Sequence, residues 1–171
     1  NLGWIYKVYD SAHPESKLIL EGDIQVGNYL VCPNITIQNA EIAFAEDNDR
    51  YITAKTTEIK DSTIQNVKSI SGLSSSSDPT VFENSSISVI NSTVYYNDPA
   101  STVLGSAEEI TINNSKIYNA SSTLDNACIG GVFETLTIMN NSEVYAESEN
   151  SAAIGLSQRA CSNDTTYNPI T

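Results

Sequence analysis

One phrase recurs along the chain and constrains it more than any other feature: apolar, any, apolar, any, Asn or Asp, small, any, Ile or Val. It reads Ile35-Thr36-Ile37-Gln38-Asn39-Ala40-Glu41-Ile42, and a degraded copy follows as Thr57-Glu58-Ile59-Lys60-Asp61-Ser62-Thr63-Ile64. Cleaner copies are Ile87-Ser88-Val89-Ile90-Asn91-Ser92-Thr93-Val94 and Ile110-Thr111-Ile112-Asn113-Asn114-Ser115-Lys116-Ile117. The last copy, Leu136 to Val144, carries one extra residue before its Asn-Ser. With Ile37, Ile59, Val89, Ile112 and Ile138 as equivalents, the steps are 22, 30, 23 and 26 residues. A unit this short cannot bury an apolar face alone, so it must stack on its neighbours.

Each unit carries a second apolar phrase: Tyr51-Ile52-Thr53, Thr80-Val81-Phe82, Thr102-Val103-Leu104-Gly105, Ala127-Cys128-Ile129-Gly130 and Ala152-Ala153-Ile154-Gly155. The 30-residue step is read as an insertion, Ser71-Gly72-Leu73 followed by Ser74 to Ser77 and Asp78-Pro79, a polar loop ending in Pro. Short alternating strands without helical periodicity, at a period in the twenties, are what a β-solenoid requires. Successive coils then pair at about 4.8 Å and equivalent residues stack into columns. The Ile and Val columns point inward. Asn39, Asp61, Asn91, Asn114 and Asn141 form a turn column, where an amide tolerates left-handed backbone and hydrogen-bonds along the stack. The expected fold is all-β, a right-handed parallel β-helix of five to six irregular coils, with a β-sandwich as the competitor. Residues 1–33 break the pattern and read as an N-terminal capping or edge segment, with Leu18-Ile19-Leu20 and Ile24-Gln25-Val26 as an irregular first coil after Gly22-Asp23. The repeat domain then runs over 34–160 and a polar tail over 161–171.

Composition removes several functions. The net charge of -13 argues against nucleic acid, which needs a clustered basic face. No run of 18 apolar residues exists, so no membrane insertion is expected. The chain holds one His, His13, and two Arg, Arg50 and Arg159, which leaves few groups for acid-base work. Ser, Thr and Asn make up 56 of 171 residues around 29 Ile and Val, a mixture suited to strands and turns. The chain opens without Met, which fits a processed product or a piece of a longer protein. Seven N-x-S/T sequons, at Asn34, Asn84, Asn91, Asn113, Asn119, Asn140 and Asn163, fit a secreted glycoprotein.

The phrases from Ile110 to Tyr118, from Ala127 to Gly131, from Leu136 to Ala146 and Ala152-Ala153-Ile154-Gly155 resemble the repeat units of bacterial cell-surface proteins with a right-handed parallel β-helix, pectin-lyase-like fold. The likeness covers roughly 35–157 and is strongest from 86 onward. It implies a fold and a surface location. The Asn-Ser of this chain stands where those proteins often carry Gly-Gly.

Candidate chemistry is sparse. Enzymes of the pectin-lyase-like fold work with clustered carboxylates on one outward face. Here Glu41 and Glu143 share an outward column, but Thr63, Thr93 and Lys116 intervene. A polysaccharide lyase or hydrolase is therefore not expected. Asp47, Asp98, Asp125 and Glu149 recur in the turn between the two apolar phrases and could hold Ca²⁺, the one cofactor considered; solvated turns are the plainer reading. Tyr95, Tyr118 and Tyr145 follow Ala43 and Gln65 in one outward column, forming an aromatic ladder that stacks on sugars or a partner, or braces coil against coil. Outward Thr36, Ser88, Thr111 and Thr137 make a ladder too sparse for an ice-binding face. Cys32, Cys128 and Cys161 lack metal-ligand spacing; they allow a Cys128–Cys161 disulfide, since the coils place Cys161 just past the column equivalent of Cys128, or three buried thiols.

The functional expectation is a non-enzymatic extracellular or cell-surface structural protein, an adhesin-type module or a subunit of a surface filament. Self-association through the N-terminal or terminal strand edges is the expected contact. The alternative is a carbohydrate-binding or polysaccharide-degrading β-helix module that takes a glycan on the tyrosines.

Overall fold

The computed structural model describes residues 13–45, 50–74, 82, 84–96, 103–119, 128–146 and 153–156. Among them the chain is all-β, with no helix. The strands are β1 (Lys17–Val26), β2 (Leu30–Val31), β3 (Asn34–Phe44), β4 (Tyr51–Ala54), β5 (Thr56–Lys60), β6 (Thr63–Gln65), β7 (Ser69–Gly72) and β8 (Ser86–Ile90). They continue as β9 (Thr93–Tyr96), β10 (Glu109–Asn113), β11 (Lys116–Asn119), β12 (Ile129–Gly131), β13 (Thr135–Met139), β14 (Glu143–Ala146) and β15 (Ile154–Leu156).

Every pairing among these strands is parallel, which a β-sandwich of antiparallel hairpins does not have. The large sheet has ten strands in the order β13-β10-β8-β5-β3-β6-β9-β11-β14, with β1 also on β3. It curls because β3 is long: its first half pairs with β5 and its second half with β6. The Asn-Ser turn then divides each later copy into two short strands. A smaller sheet, β2-β4-β7, and the pair β12-β15 are linked by single bridges from Leu104 to Ile70 and to Ile129.

The register joins Leu20, Ile37, Ile59, Val89, Ile112 and Ile138 in one column. A second runs Ile24, Ile42, Ile64, Val94, Ile117 and Val144, and a third Leu30, Ile52, Ile70, Leu104, Ile129 and Ile154. Most members of these columns are fully buried and belong to one core. Because side chains alternate faces along each strand, every second residue stays at the surface. Each wholly buried Ile or Leu contributes about 1.5–3 kcal/mol over its exposed state, so these columns are the main source of stability.

The segments Leu18-Ile19-Leu20 and Ile24-Gln25-Val26, expected as an irregular first coil, form strand β1, which pairs with β3 through the same columns and absorbs its mismatch in a bulge between Leu20 and Gly22. Gly22 sits at φ 79 and pairs with Ala40, the residue after the left-handed Asn39. The polar insertion starts later than the expected Ser71. Ser69–Gly72 is strand β7, and Ile70 takes the third-column place; Thr80 and Val81 of the expected second phrase lie outside the described residues. A single buried Ile in a Ser and Gly frame carries too little apolar signal to mark a strand.

The turn column behaves as its residue types require. Asn39, Asp61, Asn91 and Asn114 have φ between 48 and 49, and the last copy uses two left-handed residues, Asn140 and Asn141, to absorb its extra position. Asn91 Nδ2 donates to Asp61 Oδ1 and Asn114 Nδ2 to Asn91 Oδ1, both at 3.0 Å. At the extra residue the ladder changes track, with Asn140 Nδ2 donating to Asn113 Oδ1 at 2.8 Å.

The serine beside each Asn builds a second, inner ladder. The hydroxyl of Ser62 accepts the Ala40 N–H, that of Ser92 the Ser62 N–H, that of Ser115 the Ser92 N–H and that of Ser142 the Ser115 N–H, at 3.0–3.2 Å. Each also donates to a carbonyl of its own turn: Lys60, Ile90, Asn113 and Met139 respectively. The "small" position of the repeat is therefore a polar position in disguise. It satisfies a buried N–H that no strand pairing reaches.

Candidate functional site: the outward tyrosine column

The outward column beside the second buried row reads Gln25, Ala43, Gln65, Tyr95, Tyr118 and Tyr145, in the register expected from the repeat. Tyr95 and Tyr118 are stacked at 5.0 Å between centroids with planes 4° apart; Tyr118 and Tyr145 are stacked at 5.0 Å and 3°. Strand spacing sets this geometry, since identical rotamers on adjacent parallel strands repeat at about 4.8 Å. Tyr95 and Tyr118 are half-buried and Tyr145 is 38% exposed.

Stacking decides what the column can do. The inner ring faces lie against one another, which leaves ring edges and the outer faces of the two end rings, Tyr95 and Tyr145. A sugar platform needs open faces, whereas a brace between turns needs closed ones. Each stacked pair is worth about 0.5–1.5 kcal/mol beyond its area burial.

The adjacent outward column is Asp23, Glu41, Thr63, Thr93, Lys116 and Glu143. Lys116 Nζ lies 3.0 Å from a Glu143 carboxylate oxygen, with both side chains 55% exposed. Its hydrogen bond to Glu143, then the carboxylate charge itself, hold the ammonium above the usual lysine range. At this exposure the pair contributes little to stability. Glu41 and Glu143, the pair considered from the sequence, stand four positions apart in the column, whereas Asp23 and Glu41 are cross-strand neighbours. A groove of about 590 Å³ lies over Asp23, Glu41 and Asp61, lined also by Asn39 and Asn91. Among the described residues no three His, Cys, Asp or Glu side chains are grouped to hold a metal ion. The calcium candidates Asp47, Asp98, Asp125 and Glu149 all lie outside the described residues.

Of the sequon residues, Asn84, Asn91 and Asn140 are exposed, and Asn34 and Asn113 are intermediate. Asn119 is buried in its strand, so a glycan there requires the turn to open. Asn34 Nδ2 also donates to Pro14 O and Ser16 O, and its Oδ1 accepts from Thr56, which fastens β3 to its neighbours. Asn163 is outside the described residues. The threonine ladder is interrupted by Glu58, between Thr36 and Ser88.

Cys32 and Cys128 are buried thiols, and Cys161 lies outside the described residues. Burial pushes the Cys128 thiol up to about 12, against backbone hydrogen bonds from Asn119 and Tyr145 that lower it. The sequence reading missed one buried polar contact. Arg50, just ahead of β4, donates from Nη2 to the Tyr96 hydroxyl at 2.8 Å, with its guanidinium 4.8 Å from that ring's centroid. Tyr96 is fully buried and Arg50 nearly so. The cation secures β9 to the start of β4 through 46 residues of chain. Its signal in the sequence is a lone Arg directly before an apolar phrase in an acidic chain.

No family model, no curated protein and no solved structure matches this chain.

Proposed function

We propose that the chain is a non-enzymatic structural module of an extracellular or cell-surface protein, an adhesin-type unit or a surface-filament subunit. Its fold is read as a right-handed parallel β-helix of six turns, of the pectin-lyase-like kind. Right-handedness follows from the strong bias of parallel crossovers. Six turns make a stiff rod on the order of 30 Å long. One observation carries the reading: Asn, Ser and Tyr side chains hydrogen-bond or stack along the same axis as the buried columns. Polar groups that an enzyme or receptor turns toward a ligand are here engaged between turns.

The carbohydrate alternative needs open ring faces or carboxylates about 5–10 Å apart on one face. The stacked column disfavours the first; Asp23 and Glu41 are neighbouring carboxylates, but the described residues lining their groove include no His, Lys or Arg to work with them. Self-association is proposed through the terminal strand edges, where unpaired backbone groups invite another strand.

An antibody against the folded chain should label intact source cells or their shed filaments. Labelling only after permeabilisation overturns the surface assignment. A glycan-array signal that disappears in Tyr118→Ala overturns the purely structural role. Deleting residues 1–10 should shift the oligomer distribution in light scattering if the N-terminal edge mediates contact; an unchanged distribution removes that edge.

A further inference from the structure

We propose that Tyr95, Tyr118 and Tyr145 form an oxidative cross-linking site, in which a peroxidase supplied with hydrogen peroxide couples adjacent phenols into dityrosine and ties neighbouring turns covalently.

The column meets the requirements of that coupling. Its phenols are paired at 5.0 Å between centroids, and strand register fixes each pair. Tyr145 is exposed and the other two are half-buried, so a small one-electron oxidant reaches their edges. Coupling needs the outward rings to swing from stacked to edge-joined, a side-chain rotation that leaves the backbone pairing in place. Holding both radicals on one scaffold replaces a bimolecular encounter with a local one. The other described tyrosines lie outside the column: Tyr96 is sealed in the core, Tyr51 is exposed on a strand of the smaller sheet, and Tyr29 is half-buried just ahead of β2.

The chemistry balances as follows. Each phenol gives up one electron and its hydroxyl proton, leaving a radical with spin on the ring carbons ortho to oxygen. Two such carbons join in one C–C bond. The hydrogen on each joined carbon leaves as a proton, and each oxygen regains one from water. The pair has lost two electrons and two protons, which reduce one hydrogen peroxide to two waters.

The test treats the dilute full chain with a peroxidase and hydrogen peroxide, then isolates monomer. Expected are dityrosine fluorescence, a mass lower by two hydrogen atoms, and a cross-linked peptide joining Tyr118 to Tyr95 or Tyr145. Tyr118→Phe keeps the stacked ring but removes the shared phenol, leaving Tyr95 and Tyr145 two turns apart. Its intrachain dityrosine should fall about tenfold, with an unchanged thermal melt as the folding control. Tyr51→Phe should leave the yield unchanged. The proposal is overturned if the monomer bridge survives Tyr118→Phe, if it maps to other tyrosines, or if coupling occurs only between chains and rises with protein concentration.

Discussion

Ser115→Ala tests whether the inner serine ladder holds the stack. The side chain is 2% exposed, and its hydroxyl accepts the Ser92 N–H at 3.0 Å while donating to Asn113 O at 2.7 Å. Substitution removes one oxygen and no carbon, so packing is nearly unchanged. The Asn113 carbonyl keeps a second donor, the Asn91 N–H at 3.0 Å. The Ser92 N–H keeps none among the described residues, and Ser92 is itself only 4% exposed. An orphaned buried donor costs about 1–3 kcal/mol. For a chain of this size, 2 kcal/mol lowers the melting midpoint by about 4–8 °C. Urea unfolding followed by far-UV circular dichroism should show the lower midpoint at constant slope. Ser142→Ala is the internal comparison. It orphans the Ser115 N–H at the last turn, where β13 and β14 are more open to water, so its cost should be smaller. A loss below about 0.5 kcal/mol for Ser115→Ala, or equal losses for the two variants, would refute the ladder as a source of stability.

Other substitutions probe single positions in the same melts. Asn114→Ala keeps a β-carbon at φ 48 but loses the amide that makes left-handed backbone tolerable, and should cost about 1–2 kcal/mol, whereas Asn114→Gly relieves the strain, gives up one exposed hydrogen bond and should stay within about 0.5 kcal/mol of the parent. Thr57 occupies an inward column between Ile35 and Ile87 with its hydroxyl buried and unpartnered. Thr57→Val should therefore stabilise the chain by about 1 kcal/mol, and a loss of stability would show that the hydroxyl has a partner. Cys128 should resist thiol reagents at pH 8 until the chain unfolds. Its folded pKa of about 12 lies above the ordinary 9.0, so its contribution is complete below pH 9 and is lost as pH rises toward 12. Cys128→Ala should flatten that decline, and an equal decline in both proteins would assign it to other groups.

Column membership was legible because burial forces period two within a strand while the turn forces a fixed residue at its end. The alignment of Ile37, Ile59, Val89, Ile112 and Ile138, the left-handed Asn residues and the neighbouring Tyr95, Tyr118 and Tyr145 all follow from those two rules. What stayed hidden lacks an apolar signature. Strand β7 shows one Ile among Ser and Gly. The Ser ladder was hidden because a sequence records Ser as small, whereas its hydroxyl acts only once the next turn is in place. Arg50 and Tyr96 are too distant in sequence for any local rule to join them.

The irregularity of the repeat has a physical reason of its own. Shifting one turn by a single residue is already forbidden, since it exchanges the buried and solvent faces of the strand. Shifting by a whole repeat is not, because a stack of identical turns would pair equally well with any neighbour. Unequal members break that degeneracy. Thr57 stands where other turns bury Ile or Leu, Glu58 lies between Thr36 and Ser88, and the tyrosines begin only after Gln65. A whole-repeat slip would place Tyr95 beside a residue other than Gln65 or Tyr118 and would break the track change at Asn140. The buried Thr57 hydroxyl is costly in the correct register, and Thr57→Val should therefore raise stability while making slipped or swapped species more frequent.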